Sequence, residues 1–576
     1  YAGSFNCRWL VNLIVAGHVV LGVISILLGN RPTAPPRIAV LWPYDVGTPA
    51  DETFGNLVIT GVWEKLAHQK ELHLLVLSAT RGYIGTNTSP QTVREELGAE
   101  YSLVPSVIWS APEAQPHSVF IQFELGDENG ITVWTDTYPV ESTVSMETID
   151  TISREVAVGV VSTLSPRSEL TDVEMTDNPD AQRFFLQGFS YLRRQVDLDS
   201  RLRTTEMFNK CVQEDPDFGR GWAYLSYTTT IVAYRHDKQE LWDQAKEALE
   251  KAQQLSPESS DTMLAQAFYD YYFLRDFKRA AREFREILRL EPGNTRAHSG
   301  LGYVSRKLGD YQSCIGHLIQ VYELAPNQSA LLSTIGYTAL ISRQYQQAET
   351  YYERHISLKP ETPATYVKSA LLYLLWKGDI EKSRRVFELM PTIAKQQFNL
   401  TTLQPDDRAL LRVHAEYFND WIREFDDLSS LQEADLAATV GDSSTALDFY
   451  EKARLQYTSI IEDDAFQSRT SDWRAVYFYQ LGLAHAGLGN VQSAIEYGKR
   501  AVEVNPIEDD AVEGPYAEIA LAEIYTQTGH SDEAITILER MLDIPALISA
   551  NLLRIDPRWD PLREHPRFQA LLNKHN

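Results

Sequence analysis

Residues 260–360 read SDTMLAQAFYDYYFLRDFKRAAREFREILRLEP, then GNTRAHSGLGYVSRKLGDYQSCIGHLIQVYELAP, then NQSALLSTIGYTALISRQYQQAETYYERHISLKP. The three segments end on Pro292, Pro326 and Pro360, at a fixed interval of 34 residues. A period of that size is the signature of a stacked repeat. Ala267, Leu301 and Ile335 stand 25 places before the three prolines, and Leu301 is followed by Gly302. Ala280 and Phe284, like Ala348 and Tyr352, lie four residues apart, on one helix face. Proline at the exit cannot continue a helix interior. Each segment therefore predicts a pair of antiparallel helices. One such pair cannot bury its own apolar face, so neighbours must stack into a continuous core.

These residues resemble the tetratricopeptide repeat, whose pattern runs W-x2-L-G-x2-Y, then A-x3-F, then P. The resemblance implies an all-α solenoid with a groove for a protein or peptide partner. Outward from the regular units the phase continues in divergent copies. Gly188 and Tyr191 precede Pro216; Trp222, Leu225 and Ser226 precede Pro257, with an insertion around His236; Tyr373 and Gly378 precede Pro391. A first lobe over 181–395 follows. The phase is lost over 396–430, which reads as an insertion or a joint. Leu481, Gly482 and Pro506, then Leu521, Ala522, Tyr525 and Ala534, recover it in a second lobe over 431–545. The tail, 546–576, predicts a cap, because a bare last interface would aggregate.

Upstream the pattern changes. Residues 37–165 alternate short β-branched runs with helical periods in the order β-α-β-α-β-β-β-α, which predicts a small mixed α/β domain. Pro90 opens one helix and Gly98 closes it. Asn129-Gly130 signals a hairpin, and Met146–Leu164 predicts the closing helix. Residues 166–180, polar and holding Pro166 and Pro179, read as a linker. The stretches RIAVLWPY, TFGNLVITGVWEKL, REELGAEYSLVPSV, ITVWTDTY and ISREVAVGVVSTL resemble the TolB N-terminal-like module. That module commonly precedes tetratricopeptide repeats in membrane-anchored bacterial proteins, including CadC-type transcription regulators. The resemblance implies an extracytoplasmic scaffold or sensor, the receiving half of a one-component regulator. Trp42-Pro43-Tyr44 departs from the module's usual start, IAVLPF.

After a stub over 1–8, Trp9–Leu28 (residues 9–28) is an apolar run without formal charge, flanked by Arg8, Arg31 and Arg37. At about 1.5 Å per residue it is long enough to cross a hydrocarbon core. It predicts one N-terminal transmembrane helix, with a signal peptide as the rival reading. The expected location is a single-pass inner (plasma) membrane protein with its bulk periplasmic. Asn12 and His18, polar residues inside the span, are candidates for contact with a partner's membrane helix. They raise an alternative role, an accessory subunit of a larger membrane complex docked by that helix and the groove.

Lys and Arg number 53 against 79 Asp and Glu, a net charge of −26. That opposes the basic face a nucleic-acid partner needs. Cys7, Cys211 and Cys314 form no CxxC pair, and the histidines are scattered. No GxxxxGK[ST], GxSxG or HExxH occurs, so no catalytic residue, metal or cofactor is expected, and no enzyme. One periodic feature points to binding. Tyr269, Tyr303 and Tyr337 recur at 34, Tyr227 shares their phase, and Arg306 follows Tyr303 by one turn. Facing a groove, the rings give contact area and Arg306 pairs a carboxylate. The alternative is packing of the rings between repeats.

Overall fold

The computed structural model describes residues 35–42, 44–46, 52–83, 89–109, 119–140, 145–171, 174–192, 198–326, 328–397, 408–415 and 429–575. Its N-terminal part is a sheet backed by helices. Strands β1 (Arg37–Val40), β2 (Tyr44–Val46), β3 (His73–Leu74), β4 (Tyr101–Trp109), β5 (Val119–Gly126) and β6 (Thr132–Val140) lie in the order β3-β1-β4-β5-β6, with β2 also on β4. β1 pairs parallel to β3 and β4, while β4, β5 and β6 form an antiparallel meander. Helices α1 (Glu52–Ala67) and α3 (Met146–Leu164) cover one face and bury Val58, Val62, Val156 and Val160 against Leu103, Ile121 and Phe123. Helix α2 (Pro90–Leu97) starts from the Ser89 cap and ends at Gly98, φ +62.

The strand that follows α1, His73–Leu74, is only two residues long and leads to a 3-10 turn, Leu77–Tyr83. The reason is tertiary. The Val76 amide donates to Leu324 O of the solenoid, 3.0 Å away, and the Thr80 hydroxyl donates to Val40 O, 2.8 Å away. The segment leaves the sheet edge to dock.

Helix pairs then follow: α4 (Pro179–Leu192) with α5 (Leu198–Glu214), α6 (Gly219–Arg235) with α7 (Trp242–Leu255), and α8 (Ser260–Tyr269) with α9 (Phe277–Leu290). Next come α10 (Thr295–Lys307) with α11 (Tyr311–Leu324), α12 (Ala330–Ile341) with α13 (Tyr345–Leu358), and α14 (Pro363–Lys377) with α15 (Ile380–Glu388). Small residues let each pair close: a Cβ on Gly336 would lie 2.7 Å from the Tyr352 ring. Short helix α16 (Thr392–Gln397) leads into the stretch where the phase fails, and α17 (Arg408–Val413) lies within it. The second lobe runs through α18 (Ser430–Thr439), α19 (Ser443–Ile461), α20 (Ser471–Gly487), α21 (Val491–Val504), α22 (Gly514–Gln527) and α23 (Ser531–Asp543). The chain ends in α24 (Ala550–Ile555), a 3-10 turn and α25 (Pro566–Lys574), which bury Trp559, Leu562 and Phe568 against α22 and α23.

The turn inside a pair calls for a left-handed residue, and Gly309, Gly378, Gly489 and Gly529 supply it. Arg275 and Arg343 stand at this place with φ +58 and +60. Both reach the second lobe: Arg275 pairs with Asp472, 3.1 Å, and Asp510, and Arg343 donates to Leu542 O, 2.5 Å. Lys307 adds Asp510 at 2.9 Å and Glu513 at 3.0 Å. The strained turns thus carry part of the bonding that folds one lobe onto the other.

The fold class expected from the sequence needs correction. Among the described residues no helix is long and apolar enough to cross a membrane. The described residues form a small sheet domain on a helical solenoid, and none of their helices is a membrane span. The span expected over residues 9–28, with Asn12 and His18, lies outside the described residues. The single-pass membrane location derived from that span is corrected with it, since no described element supplies an anchor.

Candidate functional site

The first helices of successive repeats line a concave floor. On α10, Arg296, Ser299, Tyr303 and Arg306 follow a 3-4-3 spacing and so share one face. Two walls rise from this floor. On one side stands the sheet domain. Arg220 of α6 pairs with Glu64 of α1 and, through Nε at 2.6 Å, with Asp261 of α8. These three are almost fully buried, so each charge depends on the others. The Tyr224 hydroxyl donates to Asp261, 2.7 Å, and accepts from Arg296, 3.1 Å. On the other side stands the second lobe, where the Tyr337 and Tyr516 hydroxyls bond to each other and Tyr234 donates to Asp472, 2.8 Å.

Between the sheet domain and the floor lies a cavity of about 770 Å³. Trp63 and His68 of α1 line one side, and Tyr227, Arg235, Tyr272, Arg296 and Tyr303 the other. Burial raises the pKa of Tyr227, with Arg296, Arg235 and Arg201 opposing that shift. Burial likewise pushes Tyr303 up to about 12. Both hydroxyls stay protonated near neutrality and can donate.

The residues picked out by the 34-residue phase occupy different settings. Tyr227 and Tyr303 line the cavity. Tyr337 lies farther along the floor, half-buried, with the Lys368 ammonium 5.1 Å from its ring centre. The Arg306 guanidinium is 5.9 Å from the Tyr303 ring centre and 5.8 Å from that of Tyr337. Tyr269 is buried away from the cavity, with its ring centre 5.1 Å from Phe273 and 6.3 Å from Trp242. A π-type turn over Asp270–Leu274 extends α8 and holds Phe273 next to Tyr269. Tyr272 takes the inward place instead. Arg235, Arg296 and Tyr272 were not singled out by the repeat phase. The 3-4-3 spacing from Arg296 to Arg306 carried a readable signal for one of them.

Among the described residues no group of three or more His, Cys, Asp or Glu side chains could hold a metal ion. Cys211 and Cys314 are buried, and burial pushes both thiols up, away from thiolate chemistry.

Comparison with known proteins agrees with the helix pairs. Tetratricopeptide repeat models match residues 266–329, 475–508 and 519–546. The chain carries tetratricopeptide repeats in both lobes. A stretch of 178 residues, 31% of this chain, is 25% identical to anaphase-promoting complex subunit 3 of Schizosaccharomyces pombe. The match spans 26% of that relative's length. The human IFIT1 dimer with PPP-AAAA is similar over 63% of this chain and 80% of its own, at 15% identity and a TM-score of 0.33. YrrB, a TPR protein with an unusual peptide-binding site, is similar over 34% of this chain and 96% of its own, at 17% identity and a TM-score of 0.26.

Proposed function

We propose that this chain is a non-catalytic scaffold that receives an acidic segment of a protein partner on the floor between its two walls. One observation carries the reading. Arg306 sits between two tyrosine rings, and among the described residues it has neither an ion pair nor a hydrogen bond. A guanidinium so placed is held flat with its donors unused, which suits a carboxylate arriving from outside. The net charge of −26 repels a long nucleic-acid backbone more than a short acidic segment, because long-range repulsion grows with every added negative charge. The finer reading, a sensor acting as the receiving part of a regulator, rests on the resemblance of residues 37–165 to the TolB N-terminal-like module. Contact between that domain and the floor supports it.

The test uses the full chain and a peptide of alternating Glu and Tyr. Arg306→Met is expected to weaken binding about tenfold. The Gln counterpart of the peptide should lose affinity for the native chain alone. Equal binding by both chains would sink the reading. A second reading, a structural subunit of a larger protein assembly, is favoured by the similarity to a subunit of the anaphase-promoting complex. Native mass measurement from the source cell would separate a lone chain from an assembly.

A further inference from the structure

We infer that the cavity between the sheet domain and the floor binds a small organic anion, a carboxylate or phosphate carried on a flat apolar body. It is a site distinct from the Arg306 groove, sharing only Tyr303 with it. The size is right: small-molecule cavities run from about 300 to 1,000 Å³, and this one is about 770 Å³. The charge is right as well. Of the carboxylates on the lining, Glu64 and Asp261 are both taken by Arg220. Glu291 accepts from Ser260 and Asn294 and lies 3.8 Å from His68. Arg235 and Arg296 line the same space, and neither pairs with a carboxylate among the described residues.

These two arginines are held by rings instead. Arg296 lies 5.3 Å from the Phe189 ring centre and 5.4 Å from that of Tyr224, and bonds the Tyr224 hydroxyl. Arg235 lies beside Tyr272. Their fields, with that of Arg201, converge on the Tyr227 hydroxyl. An anion placed there would meet fixed cations and phenol donors with little rearrangement. Phe268 and the faces of Tyr227 and Tyr303 leave an apolar slot for the body of the ligand. The sheet domain roofs the space through Trp63 and His68, which limits the occupant to small-molecule size. Because the roof and the floor belong to different domains, an occupant would tie them together.

Calorimetric titration of the full chain with phenyl phosphate and with benzoate tests this. The preferred probe tells phosphate from carboxylate. Binding of either at one site is expected, weakened about tenfold by Arg235→Gln. Arg235 lies at the exposed end of α6, so that change leaves the core intact. Ser299→Trp, which fills the cavity without removing charge, should abolish binding while the melting temperature holds. Arg306→Met should leave phenyl phosphate affinity unchanged, which keeps this site's outcome separate from that of the peptide groove. Three results would each overturn the inference: no binding of either probe, unaltered binding by Arg235→Gln, or binding of the acidic peptide alone at this cavity.

Discussion

Two regions of the molecule use arginine in opposite ways. Where the second lobe meets the joint and the cap, Arg408 reaches Asp435 at 2.6 Å, Arg412 reaches Asp556 at 2.9 Å and Arg558 reaches Glu523 at 2.9 Å. Three cations meet three anions, and their side chains are 11% exposed or less. On the floor of the first lobe, Arg235, Arg296 and Arg306 sit against tyrosine and phenylalanine rings instead. A balanced network is a clamp, since removing one member strands the rest. Stacked guanidinium groups keep their donors for something that arrives later. One residue type thus separates a region built to stay closed from a region built to receive.

The largest test of this contrast is Arg412→Met. It takes one of two arginine partners from each of Asp435 and Asp556 and should cost about 3–5 kcal/mol in chemical denaturation. Arg306→Met should cost under about 1 kcal/mol, because no buried partner is left behind. Equal losses would erase the distinction. Glu64→Gln comes next. It removes the Arg220 partner across the domain boundary, leaving Asp261 as the remaining carboxylate, and should cost about 3 kcal/mol. Hydrogen exchange should rise in α1 while α22 stays protected.

The pH response should differ in sign from one buried group to another. Burial works to raise the pKa of Glu523, but Arg408, Arg412 and Arg558 outweigh it and hold the group at about 2, below the ordinary 4.5. A depressed folded-state value means its contribution is full above about pH 4.5 and is lost as pH falls toward 2. Burial, aided by Arg384, pushes His414 down to about 4 from 6.5. Its contribution is likewise present above about pH 6.5 and lost as pH falls through 4. In the first lobe, burial raises Asp270 to about 6 from 3.8 against the pull of Arg279. That contribution is full below about pH 3.8 and lost as pH rises through 6. Asp270→Asn should therefore gain stability relative to the native chain between about pH 5 and about pH 8, by roughly 1–2 kcal/mol. Denaturation curves at the two pH values read the difference. The smallest effect belongs to Tyr337→Phe, which removes the bond to Tyr516 and should cost about 1 kcal/mol. Floor binding should be nearly unchanged by it.

The repeats were legible because their information is local. Pro292, Pro326 and Pro360 mark exits, and Ala280-x3-Phe284 marks a packed face, all within one unit or its neighbour. The floor was legible in part. Phase alone selected Tyr227, Tyr269, Tyr303 and Tyr337 as equivalents, yet the turn at 270–274 puts Tyr269 in a different environment from the others. Periodicity assumes identical helices, and a π-type turn within one unit breaks that assumption. Arg408 and Arg412 are four apart and hint at a shared helix face. Nothing near them in the chain announces Asp556 or Glu523.

By itself the sequence determined that paired helices would stack with a period of 34, because each repeat interface joins segments close in the chain. Only the tertiary structure decided that the sheet domain would roof the floor and that the second lobe would wall it. Those choices rest on bonds such as Tyr234 to Asp472, 238 residues apart, and Arg220 to Glu64, 156 apart. A single chain carries no periodic trace of such pairs. Their formation depends on the curvature accumulated by the stacked repeats between them.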